Sequence, residues 1–220
     1  MENNIFKNVR NSWIEVFEKL DIKDKISKII SNAYSEENVL PNLEDTLRIF
    51  SLINPEDIRV VIIGQDPYHT KGVADGIAFS TRKEKTPPSL KNIFKELFSD
   101  TGIIKNNNDL SEWVSQGVLL INPVWSVREG KPNSHKDLGY VELTTTILEH
   151  LNKRNSKLIY CLWGNSAKYL YNNLRNKTEY VLEAAHPSPF SCYRGFFGSK
   201  HFSKINEIIQ KNNFGNTIEW

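Results

Sequence analysis

Apolar residues recur at helical spacing in the first part of the chain. This pattern covers residues 5–20, 22–33 and 42–53, and Asn42 is the predicted N-cap of the third segment. We therefore predict that residues 1–55 form an N-terminal helical part.

Four short apolar runs, bounded by turn or helix signals, predict buried strands. They cover residues 59–63, 118–121, 157–163 and 179–184. Helical patterns begin at Ser89, Leu110 and Asn165 and cover residues 137–152 and 201–211. Strands that alternate with helices are typical of α/β domains with a parallel sheet. The predicted fold is a single-domain α/β/α sandwich over residues 1–220, with a central four-stranded, mainly parallel twisted sheet flanked by helices and contained in residues 56–220.

Unusual polar residues follow each predicted strand. They are Gln65 and Asp66 after the first, Asn122 at the end of the second, Gly164 and Asn165 after the third and His186 after the fourth. In open parallel sheets, ligands bind outside the carboxyl ends of the strands. We therefore expect these side chains to converge on one site.

Composition indicates a globular chain without a membrane span. Of 220 residues, 39% are hydrophobic and 25% are charged, and no apolar run approaches the roughly 20 residues that cross a bilayer. Cys161 and Cys192 cannot form a disulfide framework, and the N-terminus lacks the apolar core of a signal peptide. We expect an intracellular location, cytoplasmic or, in a eukaryotic host or virus, nuclear.

The net charge of +2 does not by itself indicate a polyanionic partner. Local charge is more informative, because no acidic residue lies between Glu183 and Glu207, whereas Arg194, Lys200 and Lys204 lie there. Taken alone, this stretch is equally compatible with a chance basic loop.

Each candidate functional residue also has a structural interpretation. Asp66 before Pro67 favours a turn, although a catalytic carboxylate is the alternative. His186 fits either a structural histidine or a donor to a developing oxyanion. Asn122 fits a strand terminator or a reader of a pyrimidine edge, and Phe79 fits the core or a stacking platform for a flat ligand.

Several chemistries are disfavoured by missing motifs. The sequence has neither a G-x-x-x-x-G-K-[ST] phosphate loop nor a G-x-G-x-x-G turn, and it lacks the zinc-deaminase signature. We expect no cofactor and no metal.

The motifs "GQDPYH", "GIAFS", "LLIN", "LWGNSA" and "AHPSPFSCYRGFFGSKHFSKIN" together resemble the uracil-DNA glycosylase family. The resemblance runs from about residue 60 to residue 206 and implies hydrolysis of the bond between uracil and deoxyribose, in single- or double-stranded DNA. It assigns Asp66 to orienting the attacking water and stabilising the cationic sugar. It assigns neutral His186 to the uracil oxygen that gathers negative charge, and Gln65 to contacts with the base.

By the same resemblance, three further residues recognise uracil. Asn122 reads the edge of the base, Tyr68 closes the pocket where thymine carries its methyl group, and Phe79 stacks on the extruded ring. DNA-binding positions are Pro87, Pro88, Ser89, Gly164, Asn165, Ser188, Phe190, Ser191, Tyr193 and Arg194.

The chain also departs from the family pattern. Phe190 stands where the family typically inserts Leu, and Asn165 replaces a common Ser. Pro123 and Trp125 follow Asn122 where smaller or aliphatic residues are usual, Thr70-Lys71 replaces Gly-Pro, and Val73-Ala74-Asp75 replaces Gln-Ala-His. We expect these changes to affect rate or inhibitor binding rather than reaction type.

Two alternative functions stay open. One is a DNA-binding scaffold or processivity subunit that keeps the fold, and the other is a glycosylase for a different base. A proteinaceous inhibitor or a replication partner is a further expectation, and so is a monomeric state.

Overall fold

The computed structural model describes residues 5–220. Within them, the strands in chain order are β1 Val39–Leu40, β2 Val60–Ile63, β3 Val118–Ile121, β4 Val127–Arg128, β5 Ile159–Trp163 and β6 Tyr180–Ala184. The α-helices are α1 Asn11–Lys19, α2 Lys23–Ala33, α3 Ile49–Leu52, α4 Pro88–Thr101, α5 Ser111–Val114, α6 Tyr140–Arg154, α7 Asn165–Asn172 and α8 His201–Lys211.

The predicted α/β fold with a four-stranded sheet is confirmed. The order is β3-β2-β5-β6, and all neighbouring pairs are parallel. Every residue of β2, β3 and β5 is buried, which explains why these strands read as continuous apolar runs. The carboxyl ends of all four strands therefore meet at one edge of the sheet.

The third N-terminal helix was predicted wrongly. Residues 42–53 form a 3-10 turn, Leu43–Asp45, and the short α3 instead of one helix. The Asn42 side chain makes no capping hydrogen bond. The physical reason is tertiary, since the Arg48 guanidinium pairs with Asp75 at 2.7 Å and draws this segment towards a distant turn.

Other boundaries differ less. Helices α1 and α2 are shorter than predicted, α5 is a single turn, and α6 begins at Tyr140 rather than at residue 137. The strands β1 and β4 pair antiparallel and were not predicted, because two residues are too short for a recognisable alternation.

Helix α4 begins where its proline pair requires. Pro87 is extended, with φ −63° and ψ 153°, and Pro88 is the first helical residue. A proline fits there because its missing N–H has no intrahelical partner at that position. The helix ends at Gly102, which has φ +76° and donates its N–H to the Phe98 carbonyl at 2.9 Å.

The hydrophobic core reaches from the first helix to the last residue. Trp13 is fully buried against Phe50, with ring centroids 5.0 Å apart, and Trp220 packs on Trp113 at 5.3 Å. None of the helices in residues 5–220 combines the length and the apolar character needed to cross a bilayer.

Candidate functional site

A pocket of about 220 Å³ opens at the carboxyl edge of the sheet. It collects groups that follow three strands, Gln65 and Asp66 after β2, Asn122 after β3 and His186 after β6. It also includes Tyr68, Phe79 and Ser89. The structure brings these seven candidate residues together in one pocket, whereas Gly164 and Asn165, which were expected to converge with them, do not line it.

Two glycines allow this close approach. An added Cβ at Gly64 would lie 2.2 Å from Oδ1 of Asn122, so any larger residue would push the amide away. Gly164 has φ +99°, and an added Cβ there would lie 2.8 Å from the Cβ of His186. These glycines let the ends of neighbouring strands bring Asn122 and His186 into the pocket.

The Asp66 carboxylate is held by a loop that is distant in sequence. The backbone N–H of Asn133 donates to its Oδ2 at 2.7 Å, and the Gln65 amide donates to Oδ1 of Asn133 at 2.9 Å. Burial raises the pKa of Asp66, whereas the Asn133 N–H and nearby His69 lower it. The sequence did not predict Asn133, although the turn-forming stretch Pro132-Asn133-Ser134 was a signal that a loop lies there.

His186 is fixed as a neutral ring with a defined tautomer. The backbone N–H of Ser188 donates to Nδ1 at 3.0 Å, so in the neutral ring the proton is on Nε2. Burial lowers the pKa of His186, which disfavours the imidazolium. The hydroxyl of Ser191 donates to the His186 carbonyl at 2.8 Å and fixes the backbone of the same turn.

An aromatic wall faces these polar groups. Phe79 is 8% exposed and has its ring centroid 5.7 Å from that of His186 and 5.5 Å from that of Trp163. Phe79 is thus both a core residue and a pocket residue. The Tyr68 hydroxyl donates to the Phe79 carbonyl at 2.8 Å, and burial raises the pKa of this phenol.

Two residues that follow Asn122, Pro123 and Trp125, are anchored to helix α6. The Trp125 indole lines the pocket and donates to the Thr144 hydroxyl at 3.0 Å. That hydroxyl donates to the Pro123 carbonyl at 3.1 Å. Pro123 and Trp125 therefore form one packed unit with Thr144.

The loop of residues 186–200, called here the insertion loop, presents aromatic side chains to solvent. Phe190 is 92% exposed and Tyr193 is 79% exposed. The loop is braced internally by a 3.1 Å hydrogen bond between the hydroxyls of Ser188 and Ser191. Arg194 is exposed on the same loop.

Helix α4 brings the proline-rich turn beside the insertion loop. The Asn92 amide donates to the Pro187 carbonyl at 2.8 Å, one turn after Ser89. The remaining predicted positions, Gly164 and Asn165, lie at the start of α7, and Gly164 contacts His186. The predicted DNA-binding segments thus adjoin the pocket.

A metal site needs several ligand side chains close together. Across the part of the chain that the structure describes, no group of three or more His, Cys, Asp or Glu side chains is arranged to hold a metal ion. That the reaction needs no metal stays a prediction.

Comparison with known families gives one consistent result. A family model described as the uracil DNA glycosylase superfamily matches residues 50–210. Uracil-DNA glycosylase 1 of Listeria innocua is 46% identical over 198 residues, which is 89% of each chain. Uracil-DNA glycosylase of Clostridium beijerinckii is 40% identical over 220 residues, covering 99% of this chain and 97% of the relative.

Solved structures share the fold. The crystal structure of mimivirus uracil-DNA glycosylase superposes with a TM-score of 0.88 at 23% identity, covering 99% of this chain and 89% of that one. A mimivirus UNG variant in complex with UGI gives a TM-score of 0.89 at 24% identity, covering 100% and 91%.

Proposed function

Since the chain belongs to the uracil-DNA glycosylase superfamily and excises uracil from DNA by hydrolysing its N-glycosidic bond, we propose that the pocket at the carboxyl edge of its sheet is the active site. The observation that carries this proposal is the shared pocket of Asp66 and His186, one a carboxylate and the other an imidazole whose Nδ1 accepts a backbone N–H.

Asp66 acts on the sugar side of the bond. As the bond between C1′ and the uracil nitrogen breaks, positive charge develops on the deoxyribose, and an ionised carboxylate stabilises it. The same carboxylate orients a water whose oxygen bonds to C1′ while uracil leaves with the electron pair of the broken bond. The water gives up one proton to the carboxylate, and the uracil anion finally takes up a proton, so that a hydroxyl stays on C1′ and neutral uracil is released. The Asn133 N–H on Oδ2 favours the ionised form and leaves Oδ1 to face the water.

His186 acts on the base side. Its Nε2–H donates to the uracil oxygen on which negative charge gathers, which makes the base a better leaving group. A neutral donor suits this task because the Ser188 N–H already occupies Nδ1 and burial lowers the pKa of the ring.

Uracil is recognised by an amide and an aromatic wall. Asn122 pairs with the edge of the base, a bidentate contact that gives about 1 to 3 kcal/mol of discrimination. Gln65 contributes further contacts, and Phe79 stacks on the ring. Tyr68 occupies the space that the thymine methyl group would need, and its hydrogen bond to the Phe79 carbonyl keeps it there.

The base must leave the duplex to reach this pocket, which costs a few kcal/mol. Exposed Phe190 fills the gap as an apolar wedge between base pairs. Loops around the pocket bind the DNA backbone. The residues that do so are Pro87, Pro88 and Ser89, Gly164 and Asn165, and Ser188, Ser191, Tyr193 and Arg194 of the insertion loop.

Excision assays test the site. The protein is incubated with uracil-containing single and double strands in EDTA, and abasic sites are counted. We expect release by the wild type and a loss of at least about a hundredfold for Asp66→Asn, with DNA affinity unchanged, because the carboxylate acts in the transition state. Full activity of Asp66→Asn would contradict the assignment, and loss of activity in EDTA alone would contradict the metal-free reaction.

Partners and location are proposals of the same kind. The mimivirus complex with UGI supports a proteinaceous inhibitor for this chain as well. The bacterial relatives support action in the cytoplasm, where bacterial DNA lies, and we propose that one copy of the chain is sufficient for activity.

A further inference from the structure

A buried ion pair lies behind one wall of the active-site pocket. Arg48 Nη1 is 2.7 Å from Asp75 Oδ2, and the two side chains are only 11% and 4% exposed. The second guanidinium nitrogen of Arg48 is 2.7 Å from Asp109 Oδ2. Asp75 is not among the residues that line the pocket, whereas its neighbours Gly76, Ile77 and Phe79 are.

The Asp75 carboxylate ties the turn of residues 75–80 together. It accepts the Ile77 N–H on Oδ1 at 3.2 Å and the Ser80 hydroxyl on Oδ2 at 2.8 Å. The Ser80 oxygen in turn accepts the Leu110 N–H at 3.1 Å. One side chain thus joins both ends of the turn to two other parts of the fold.

The turn needs such support because its backbone is strained. Gly76 has φ +87°, and Phe79, with φ +66°, is an aromatic residue in the left-handed region. A conformation of this kind costs about 1 to 3 kcal/mol and persists only where the surroundings impose it. The turn also packs closely against the segment that carries Arg48. A Cβ added at Gly76 would lie only 1.9 Å from the Asp45 carbonyl oxygen, so a residue larger than glycine does not fit there.

The ion pair is close enough to influence the base-binding groups. Burial and, to a smaller extent, the negative charge of Asp75 both raise the pKa of Tyr68. Tyr68 donates to the carbonyl of Phe79, the residue with the strained backbone. The carboxylate, the phenol and the stacking ring therefore form one connected unit.

We propose that Arg48 and Asp75 are a positioning pair that sets the affinity of the pocket for the uracil ring by holding the Phe79 turn in its left-handed form. The proposal rests on the proposed function of the pocket. Membership of the superfamily does not by itself assign a role to Arg48 or Asp75. Stability alone does not account for the pair either, since apolar residues can replace a buried ion pair without loss of stability.

The test compares Asp75→Asn with the wild type. Asparagine has the same shape and still accepts the Ile77 N–H, but it removes the negative charge that pairs with Nη1 of Arg48, while the pair with Asp109 stays. With a single-stranded uracil substrate we expect kcat/KM to fall about tenfold and the inhibition constant of free uracil to rise about tenfold, a loss of about 1.4 kcal/mol. Affinity for uracil-free DNA should stay within about twofold, because the turn is not among the proposed DNA contacts.

Arg48→Met and the double variant complete a thermodynamic cycle. If the pair acts as one device, the double variant loses little more uracil affinity than either single variant. Ile147→Val, a change at a buried position of α6 that does not line the pocket, shows what a loss of stability alone does to the same constants.

Two outcomes overturn the proposal. One is an unchanged inhibition constant for uracil in Asp75→Asn, and the other is a change no larger than that of Ile147→Val at matched stability. Failure of the wild type to release uracil would instead reject the proposed function of the pocket, so the two failures are distinguishable.

Discussion

At the scale of single residues, the site depends on a glycine, because Gly64 has no side chain. Gly64 follows β2 directly, and the space that its Cβ would fill is taken by the Asn122 amide. Its φ lies outside the left-handed region, so the backbone is compatible with alanine. The effect of an added Cβ then comes from its contacts with the Asn122 amide and, at 3.3 Å, with the Cβ of Ala78.

Gly64→Ala should therefore damage recognition rather than folding. A Cβ 2.2 Å from Oδ1 of Asn122 forces the amide out of register with the uracil edge. We expect kcat/KM on uracil DNA to fall at least about tenfold, because a bidentate contact is worth about 1 to 3 kcal/mol. Steady-state kinetics with single-stranded substrate measure this.

Gly102→Ala is the matched control. Gly102 ends α4 with φ +76°, and an added Cβ there meets no atom within 4 Å. The control should lose about 1 kcal/mol of stability to the left-handed backbone and keep its kinetics. Equal kinetic losses in both variants would mean that Gly64 matters only for stability.

Much of the site was predictable because of where the residues fall in the chain. Asp66, Asn122 and His186 each follow a strand of the parallel sheet, and parallel strands bring such positions to one edge. The predicted burial of the last strand was wrong, since β6 is buried only at Ala184. Asn133 and Asp75 were not predicted as parts of the site. Asn133 bonds to Asp66, which lies 67 residues earlier in the chain. Asp75 pairs with Arg48, which lies 27 residues earlier.

At the scale of elements, α4 connects the two proposed DNA-binding segments. It begins at Pro88, and Asn92 then binds the start of the insertion loop through the Pro187 carbonyl. One turn later, buried Glu96 accepts the N–H groups of Gly198 at 2.7 Å and Lys200 at 2.9 Å at the end of that loop. The helix therefore fixes both ends of the loop that carries Phe190.

Glu96→Gln should weaken excision from duplexes more than from single strands. The variant keeps one acceptor but loses charge-assisted bonds, which are roughly twice as strong as neutral ones. Only a duplex leaves a gap that Phe190 must fill. We expect kcat/KM to fall about tenfold for duplex DNA and about twofold or less for single strands, the duplex loss amounting to about 1.4 kcal/mol.

Glu112→Gln serves as the control, since Glu112 lies on α5 and its ion pair with Lys105, at 2.7 Å, does not involve the insertion loop. It should leave the ratio of duplex to single-strand activity at the wild-type value. Equal losses on both substrates in Glu96→Gln would contradict a role in holding the wedge.

Elements with strong periodicity or continuous burial were predictable, and those shaped by tertiary contacts were not. The fully buried strands and α8 were correctly identified. Residues 42–53 have a helical pattern, but Arg48 and the buried hydroxyl of Thr46, which bonds to Tyr34, impose two short turns. The hydrophobic pattern of a segment does not show which distant residues its side chains will contact.

At the scale of the whole molecule, the continuous core favours one cooperative unit. Residues from α1 to Trp220 belong to the same hydrophobic cluster, and we propose that the chain is a single domain. Its stability should then respond as a whole to the state of one buried group.

That group is His201, the first residue of α8. It is 3% exposed, and its Nδ1 accepts the Trp163 indole N–H at 3.0 Å. Burial, followed by the charge of Lys204, lowers the pKa of His201 to about 4, while the Glu183 carbonyl and Asp100 oppose the shift. A depressed folded pKa means that the unfolded chain binds the proton first, so stability is present above about pH 6.5 and is lost towards pH 4.

Between pH 7 and pH 4.5 we expect the wild type to lose about 2 kcal/mol of unfolding free energy through this residue. His201→Gln keeps an acceptor for the Trp163 indole but cannot titrate, so its loss over the same interval should be smaller by that amount. Urea unfolding of both proteins at the two pH values measures the difference, and each protein at pH 7 is its own reference for packing changes. If the two proteins lose the same free energy, burial does not hold His201 neutral, and the acid sensitivity of the fold arises from other groups.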